Sequence, residues 1–158
     1  MMKDNAVFTE MKEIGHAWEE RRVAREARRK EIIDKYGWDS EELKAWYAEK
    51  DADKFPFSRG ESKAYTAWAE SLSRNEDGLE MSEFLFENEV HDFIATLRKA
   101  GIHSFIYTNN STAVMENIHA FAAEGFGITC LCNAVRYENR WGEEKTYEVQ
   151  GIRFQDAL

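Results

Sequence analysis

The sequence predicts an α+β fold in which a helical N-terminal region packs with a small C-terminal sheet. Residues 8–73 carry apolar side chains at spacings of three and four, which is typical of helices. Residues 103–154 hold three runs of aromatic and β-branched residues, which are typical of strands. We therefore expect a helical region over residues 1–75 and an α-β-α-β-β module over residues 76–158. The module has two helices and three largely antiparallel strands, and the chain forms one compact unit.

The first predicted helix is long, from about Phe8 to Lys35. Its apolar stripe is continuous at both ends but thins in the middle, where residues 21–30 contain six basic side chains and one acidic side chain. Gly37 ends this helix because glycine readily adopts the left-handed backbone of a helix C-terminus.

Two shorter helices follow. Asp39 or Ser40 caps a helix from Glu41 to about Lys50, and a third helix spans about Glu61–Ser73. Residues 1–73 hold four of the five tryptophans, which we interpret as aromatic packing between the helices.

The C-terminal module begins with a helix whose apolar face ends near Lys99, and Gly101 stops it. A second helix presents Met115, Ile118, Phe121 and Ala122 as its buried stripe. Gly142 lies in a turn over residues 139–143 that joins the last two strands as an antiparallel pair. The predicted strands are His103–Thr108, Ile128–Val135 and Thr146–Phe154.

The formal net charge of -9 is unevenly distributed. Residues 1–36 carry nine basic and eight acidic side chains, whereas residues 37–158 carry 12 basic and 22 acidic ones. A strongly acidic surface repels nucleic acid and favours basic partners. No apolar run is long enough to span a bilayer, and no signal peptide precedes the charged N-terminus, so we expect a cytoplasmic protein without membrane contact.

An acidic segment and a tryptophan are the predicted partner-binding residues. Residues 76–92 hold seven acids and no lysine or arginine, and four of these acids follow helical spacing, which predicts an acidic ridge on a helix. Trp141 is predicted at the hairpin tip, where it either folds back on the sheet or contacts a partner. The predicted contact residues are Glu76, Asp77, Glu80, Glu83, Glu87, Arg140 and Trp141.

The arginine-rich part of the first helix gives an alternative function, a nucleic-acid-associated regulator. Its binding residues would be Arg21, Arg22, Arg25, Arg28 and Arg29. The competing interpretation is a solvated helix face whose arginines pair with nearby glutamates, and we favour it because those acids cancel most of the local field.

No catalytic residue, cofactor or metal site is predicted. The segment Ser73–Phe84 has the glycine of an EF-hand calcium loop, but Phe84 occupies the position that needs a bidentate carboxylate. Cys130 and Cys132 lie two residues apart on one strand, which we interpret as two reduced thiols, since a zinc site needs more ligands. A small hydrolase or metal-dependent enzyme is kept as a further alternative.

The segment Leu97–Ser111 resembles the second motif of haloacid-dehalogenase-type phosphatases, in which a strand ends in a threonine or serine that binds the phosphoryl group. Thr108 is the matching residue. That family also needs an Asp-x-Asp motif after an earlier strand. Asp51 and Asp53 have this spacing, but no apolar strand precedes them. We therefore do not assign Thr108 as a phosphate ligand.

The C-terminal half, Val90 to Phe154, resembles small accessory proteins of phages and other mobile elements in bacteria. The similarity lies in the helix that leads to Ile102, in Tyr107-Thr108, and in the closing Gly-Ile-Arg-Phe154. Such proteins often inhibit host or rival nuclease systems by binding. The resemblance implies a non-enzymatic module that binds a protein partner with a basic surface, and a nuclease effector is one candidate.

Overall fold

The computed structural model describes residues 2–74 and 78–158, and the contacts of the chain divide it into two compact units. One unit comprises Met1–Thr9 and Phe57–Leu158, and the other comprises Glu10–Pro56. The predicted α+β class is confirmed. The domain boundary expected between residues 75 and 76 falls among residues outside those described and stays a prediction. The described helices and strands are α1 (Ala6–Tyr36), α2 (Glu41–Ala52), α3 (Arg59–Ser73), β1 (Leu79–Met81), α4 (Glu87–Lys99), β2 (Ser104–Tyr107), α5 (Val114–Ala123), β3 (Phe126–Arg140) and β4 (Glu143–Asp156).

The unit Glu10–Pro56 is held together by tryptophans that bond across its two helices. The Trp46 indole is buried and donates from Nε1 to the Arg25 carbonyl at 2.7 Å. Trp18 Nε1 donates to the Asp53 carbonyl at 3.0 Å. The Ser40 hydroxyl accepts a hydrogen bond from the Leu43 amide and caps α2, so of the two predicted caps, Asp39 and Ser40, the structure has Ser40. Both of these indole nitrogens are therefore satisfied, as the polar group of a packed tryptophan needs to be.

The sheet of the described residues has four strands in the order β1-β2-β4-β3, so the prediction of three largely antiparallel strands is wrong. β1 is the strand that the prediction lacked, and it pairs parallel with β2, with Leu79 opposite Phe105. The pairs β2–β4 and β3–β4 are antiparallel. β1 connects to β2 through α4, the crossover that a parallel pair requires. The sheet is therefore mixed, and its parallel pair lies at one edge.

Aromatic rings fill the core between the sheet and the helices α4 and α5. Phe105 of β2 stacks on Phe154 of β4, with ring centroids 5.4 Å apart, and both contact Phe121 of α5 edge to face. Phe93 of α4 meets Phe105 at 5.6 Å. The predicted apolar face of α4 is buried except at Phe86, which is 56% exposed. In the predicted α5 stripe Phe121 is buried, whereas Met115 and Ala122 are exposed. Edge-to-face rings add directional contacts to the area that they bury.

The β3–β4 hairpin extends well beyond the rest of the sheet. β4 pairs with β2 only from Ile152 to Gln155, whereas β3 and β4 stay paired out to Arg140 and Glu143. Residues 133–150 therefore form a two-stranded ribbon, which we call the hairpin arm. A β-bulge between Ile128 and Cys130 shifts the register near its base. Bulges bend a strand and increase its twist, which redirects the arm.

Candidate partner-binding site

Three segments leave the sheet at the same end. β1 and β2 are parallel, so the loops that follow them, residues 82–86 and 108–113, start at the same end of the sheet, where both strands finish. The hairpin arm starts at the same end. β3 runs in the same direction as β2 but continues beyond Tyr107, the last residue of β2, whose partner on β4 is Ile152. Glu83 lies in the loop after β1 at this end, and the hairpin arm that starts here leads to Trp141.

The hairpin arm ends in a two-residue turn formed by Trp141 and Gly142. Arg140 and Glu143 are the last paired residues, and the two turn residues have positive φ angles of 56° and 77°. Positive φ at both positions is the signature of a type I′ turn, which favours Asn-Gly because most side chains avoid that backbone. Trp141 is fully exposed, so of the two predicted alternatives the side chain does not fold back on the sheet.

Glu80 does not lie on a helical ridge, and that part of the prediction is wrong. It is the middle residue of β1, its side chain is fully buried, and it points away from the aromatic core. Its carboxylate accepts hydrogen bonds from Arg136 Nε at 2.9 Å, Arg74 Nη1 at 2.9 Å and the Thr108 hydroxyl at 2.8 Å. Its amide donates to the Ser71 hydroxyl at 2.9 Å. A buried carboxylate persists only with such partners.

These contacts set the ionisation of Glu80. Burial raises the pKa of its carboxyl, but the hydrogen bonds from Arg136 and Thr108 and the charge of Arg74 together lower it by more. The net pKa lies below the ordinary value of 4.5, so the group is a carboxylate at neutral pH.

The other predicted acidic residues have different positions. Glu83 lies in the loop after β1 and Glu87 in the first turn of α4; both side chains are exposed and form no ion pair within the described residues. Glu76 and Asp77 lie outside the residues that the structure describes. The ridge is interrupted because the chain between Gly78 and Phe86 is a strand and a loop, so helical spacing does not apply.

A family model matches residues 63–156, which is more than half of the chain. The chain belongs to the family described as Domain of unknown function (DUF7698). No curated protein and no solved structure matches the chain. The DUF7698 match covers all four strands, the Glu80 contacts and Trp141, so these features lie within the part of the chain that defines the family.

The arginines of the alternative nucleic-acid site lie outside the DUF7698 match and bond to acids or a hydroxyl within their own unit. Arg21 and the buried Arg25 both donate to the Asp53 carboxylate, at 3.1 and 2.9 Å, and these bonds lower the pKa of Asp53. The remaining pairs are Arg22 with Glu19, Arg28 with Glu49, and Arg29 with the Tyr47 hydroxyl. Among these bonds only Arg22–Glu19 is the predicted pairing with a glutamate of the same helix; Arg21, Arg25 and Arg28 pair with Asp53 and Glu49, which lie outside α1. Whether the arginines bind nucleic acid stays a prediction.

The residues that resembled catalytic motifs have structural contacts. Thr108 donates its hydroxyl to Glu80, and Asp53 accepts from arginines. Cys130 and Cys132 are free thiols, and burial raises the pKa of Cys132. Over residues 2–74 and 78–158 no group of three or more metal-ligating side chains is found. No helix in the same ranges is long and apolar enough to cross a membrane.

Sequence reasoning missed the Arg136–Glu80–Arg74 cluster. The available signal was the alternation Leu79-Glu80-Met81, which places two apolar side chains on one face of a strand and a carboxylate on the other. Three residues are too few for that alternation to stand out against the helical spacing of the neighbouring acids.

Proposed function

We propose that this chain is a non-enzymatic protein-binding module that contacts its partner through the tip of the hairpin arm. The observation that carries the proposal is Trp141, a fully exposed tryptophan with φ of 56° at a type I′ turn. Tryptophan, tyrosine and arginine are the residues most enriched among those that dominate binding energies at protein interfaces.

The isolated chain gains nothing from tryptophan at this position. A non-glycine residue in the left-handed region costs on the order of 1 kcal/mol, and asparagine tolerates that backbone better. The exposed ring of Trp141 buries no surface in the described structure that offsets this cost. Burial of the Trp141 ring by a partner would offset this cost and explain why a tryptophan occupies the turn.

The base of the hairpin arm is fixed to the rest of the sheet, which favours binding. Arg136 of the arm donates to Glu80 and, at 3.3 Å, to the Thr108 hydroxyl. Ala134, the preceding residue on the same face, is buried. Restricting the arm before binding reduces the conformational entropy that complex formation costs.

The charge of this end of the sheet supports a partner with a basic surface. Glu83 and Glu87 are exposed and unpaired within the described residues, and the formal net charge is -9. Complementary charge speeds association and suppresses wrong partners. A nuclease effector, an origin in a phage or mobile element, and a cytoplasmic location belong to the same proposal, and the two free thiols are consistent with a reducing compartment.

Affinity capture tests the proposal. Tagged wild-type chain and a Trp141→Ala variant are incubated with lysate of the source cells, with and without nuclease, and the bound proteins are identified by mass spectrometry. We expect a stoichiometric protein partner that survives nuclease treatment and is lost with Trp141→Ala. Enrichment that disappears with nuclease would contradict the proposal and support the arginine-rich helix instead.

A further inference from the structure

We propose that an apolar groove along α5 binds a basic amphipathic helix of the partner protein. The groove has a volume of about 490 Å³ and lies between α5 and the segment that leads into α4. This inference rests on the proposed function, because it names the chemistry of the partner and the surface that receives it. The groove is separate from Trp141, so the two surfaces are testable one at a time.

The floor of the groove is apolar and shaped by small residues. Met115, Ala120 and Ala123 of α5 line it, and the side chain of Met115 is 60% exposed. From Met115 to Ala123 the helix rises about 12 Å, which is about two turns. The alanines leave a trough beside the methionine. Apolar side chains at positions i, i+4 and i+7 of a partner helix lie on one face and fit such a trough.

The groove is held in shape from below by Asn117. This residue is buried; its carbonyl oxygen accepts the Leu85 amide at 3.0 Å and also accepts the Tyr107 hydroxyl. Its side-chain amide donates to the Leu85 carbonyl. Leu85 itself is part of the groove lining, so these bonds tie both walls together. A preformed groove loses little entropy when it is occupied.

Unpaired carboxylates identify the occupant as basic. Glu87 and Glu116 lie in the lining, and neither forms an ion pair within the described residues. The acids of the same unit whose side chains are buried are paired, such as Glu89 with Lys63 and Asp156 with Arg98, whereas the exposed Glu83, like the two groove acids, is not. An apolar floor with unpaired carboxylates along it complements a helix that carries leucine-like residues flanked by lysine or arginine.

The test uses a synthetic helical peptide with leucine at i, i+4 and i+7 and lysine on both sides of that stripe. Its affinity for the full chain is measured by calorimetry, and its site by the methyl NMR signal of Met115, assigned through Met115→Ala. We expect saturable binding that shifts the Met115 signal and leaves that of the buried Met81 in place. A counterpart peptide with glutamate in place of lysine should not bind.

Charge reversal separates groove binding from general attraction. We expect the double variant E87K/E116K to bind the lysine peptide about tenfold more weakly. The matched double variant D34K/E42K changes two exposed helix acids elsewhere and should bind as the wild type does. Equal weakening in both variants, or no shift of Met115, would overturn the inference. W141A should leave peptide binding intact. If W141A still binds the peptide but no longer captures the partner, the result tests the hairpin tip and not the groove.

Discussion

Arg136 of β3 donates to the carboxylate of Glu80 in β1 at 2.9 Å, although β2 and β4 lie between these strands in the sheet. Neighbouring strands are about 4.8 Å apart, so three strand spacings exceed the reach of an arginine side chain. The contact therefore requires the hairpin arm to bend out of the line of β3 toward β1. The position of the arm therefore depends on one buried carboxylate.

Replacing Glu80 tests that dependence. We expect Glu80→Gln to lower the free energy of unfolding by about 3 kcal/mol, since it leaves the Arg136 guanidinium without its carboxylate partner and Arg74 with Glu70 alone. Urea unfolding at neutral pH measures the loss. Glu83→Gln, in the exposed loop after the same strand, is the control and should change stability by less than about 0.5 kcal/mol. Similar losses in both variants would contradict the role of Glu80.

The pH dependence of stability should report the same group. The pKa of Glu80 is lower in the folded chain than its ordinary value of 4.5, so its contribution is complete above that value. As pH falls through the folded pKa, the unfolded state has already bound a proton, and the stabilisation is lost. We expect the stability difference between wild type and Glu80→Gln to shrink below pH 4.5, measured by urea unfolding at a series of pH values. A difference that is constant down to acid pH would rule this out.

Gly151 should not tolerate a side chain. A Cβ at this position would lie 2.6 Å from Ile106 Cγ2 and 3.1 Å from the Tyr107 carbonyl oxygen. We expect Gly151→Ala to cost about 2 kcal/mol, as overpacking of a fixed contact does. Gly127→Ala in β3 is the matched control, because a Cβ added there would meet nothing within 4 Å. Thermal unfolding of the two variants compares them, and equal midpoints would argue against a close approach at Gly151.

Trp141 should show opposite effects on stability and binding. Trp141→Asn supplies the residue that a type I′ turn prefers, so we expect a gain of about 0.5 kcal/mol in the free energy of unfolding. The same variant should lose the captured partner, because the exposed ring is absent. Trp38→Ala removes another largely exposed tryptophan and should retain capture. A Trp141→Asn chain that still captures its partner would remove the hairpin tip from the proposal.

The arginine-rich helix should not bind duplex DNA. Its guanidinium groups are engaged by Asp53, Glu19, Glu49 and Tyr47, so phosphates would have to displace existing partners. We expect no gel retardation at physiological salt and no systematic change as salt is lowered moderately. Retardation with a steep salt dependence, lost when Arg28 and Arg22 are replaced by glutamine, would favour the nucleic-acid alternative.

Local patterns predicted most of the elements, but long-range contacts decided the site. The helices α1 to α5 and the Gly142 turn follow from apolar spacing, caps and glycine, all of which act within a few residues. β1 was missed because its three residues acquire their structure from Phe105 and Tyr107 of β2. The burial of Glu80 depends on Arg136, 56 residues away in sequence, and no local pattern contains that pairing.

The same separation has a consequence for the order of folding. The β3–β4 pairs nearest the Trp141–Gly142 turn join residues close in sequence, so the hairpin can form from the turn toward its base within about 1–10 μs. The bond between Arg136 and Glu80 closes a much longer loop and has to wait until β1 has paired with β2. We therefore expect a late step in which an already formed ribbon docks onto the finished sheet, and Glu80→Gln should leave the early hairpin intact while it accelerates unfolding.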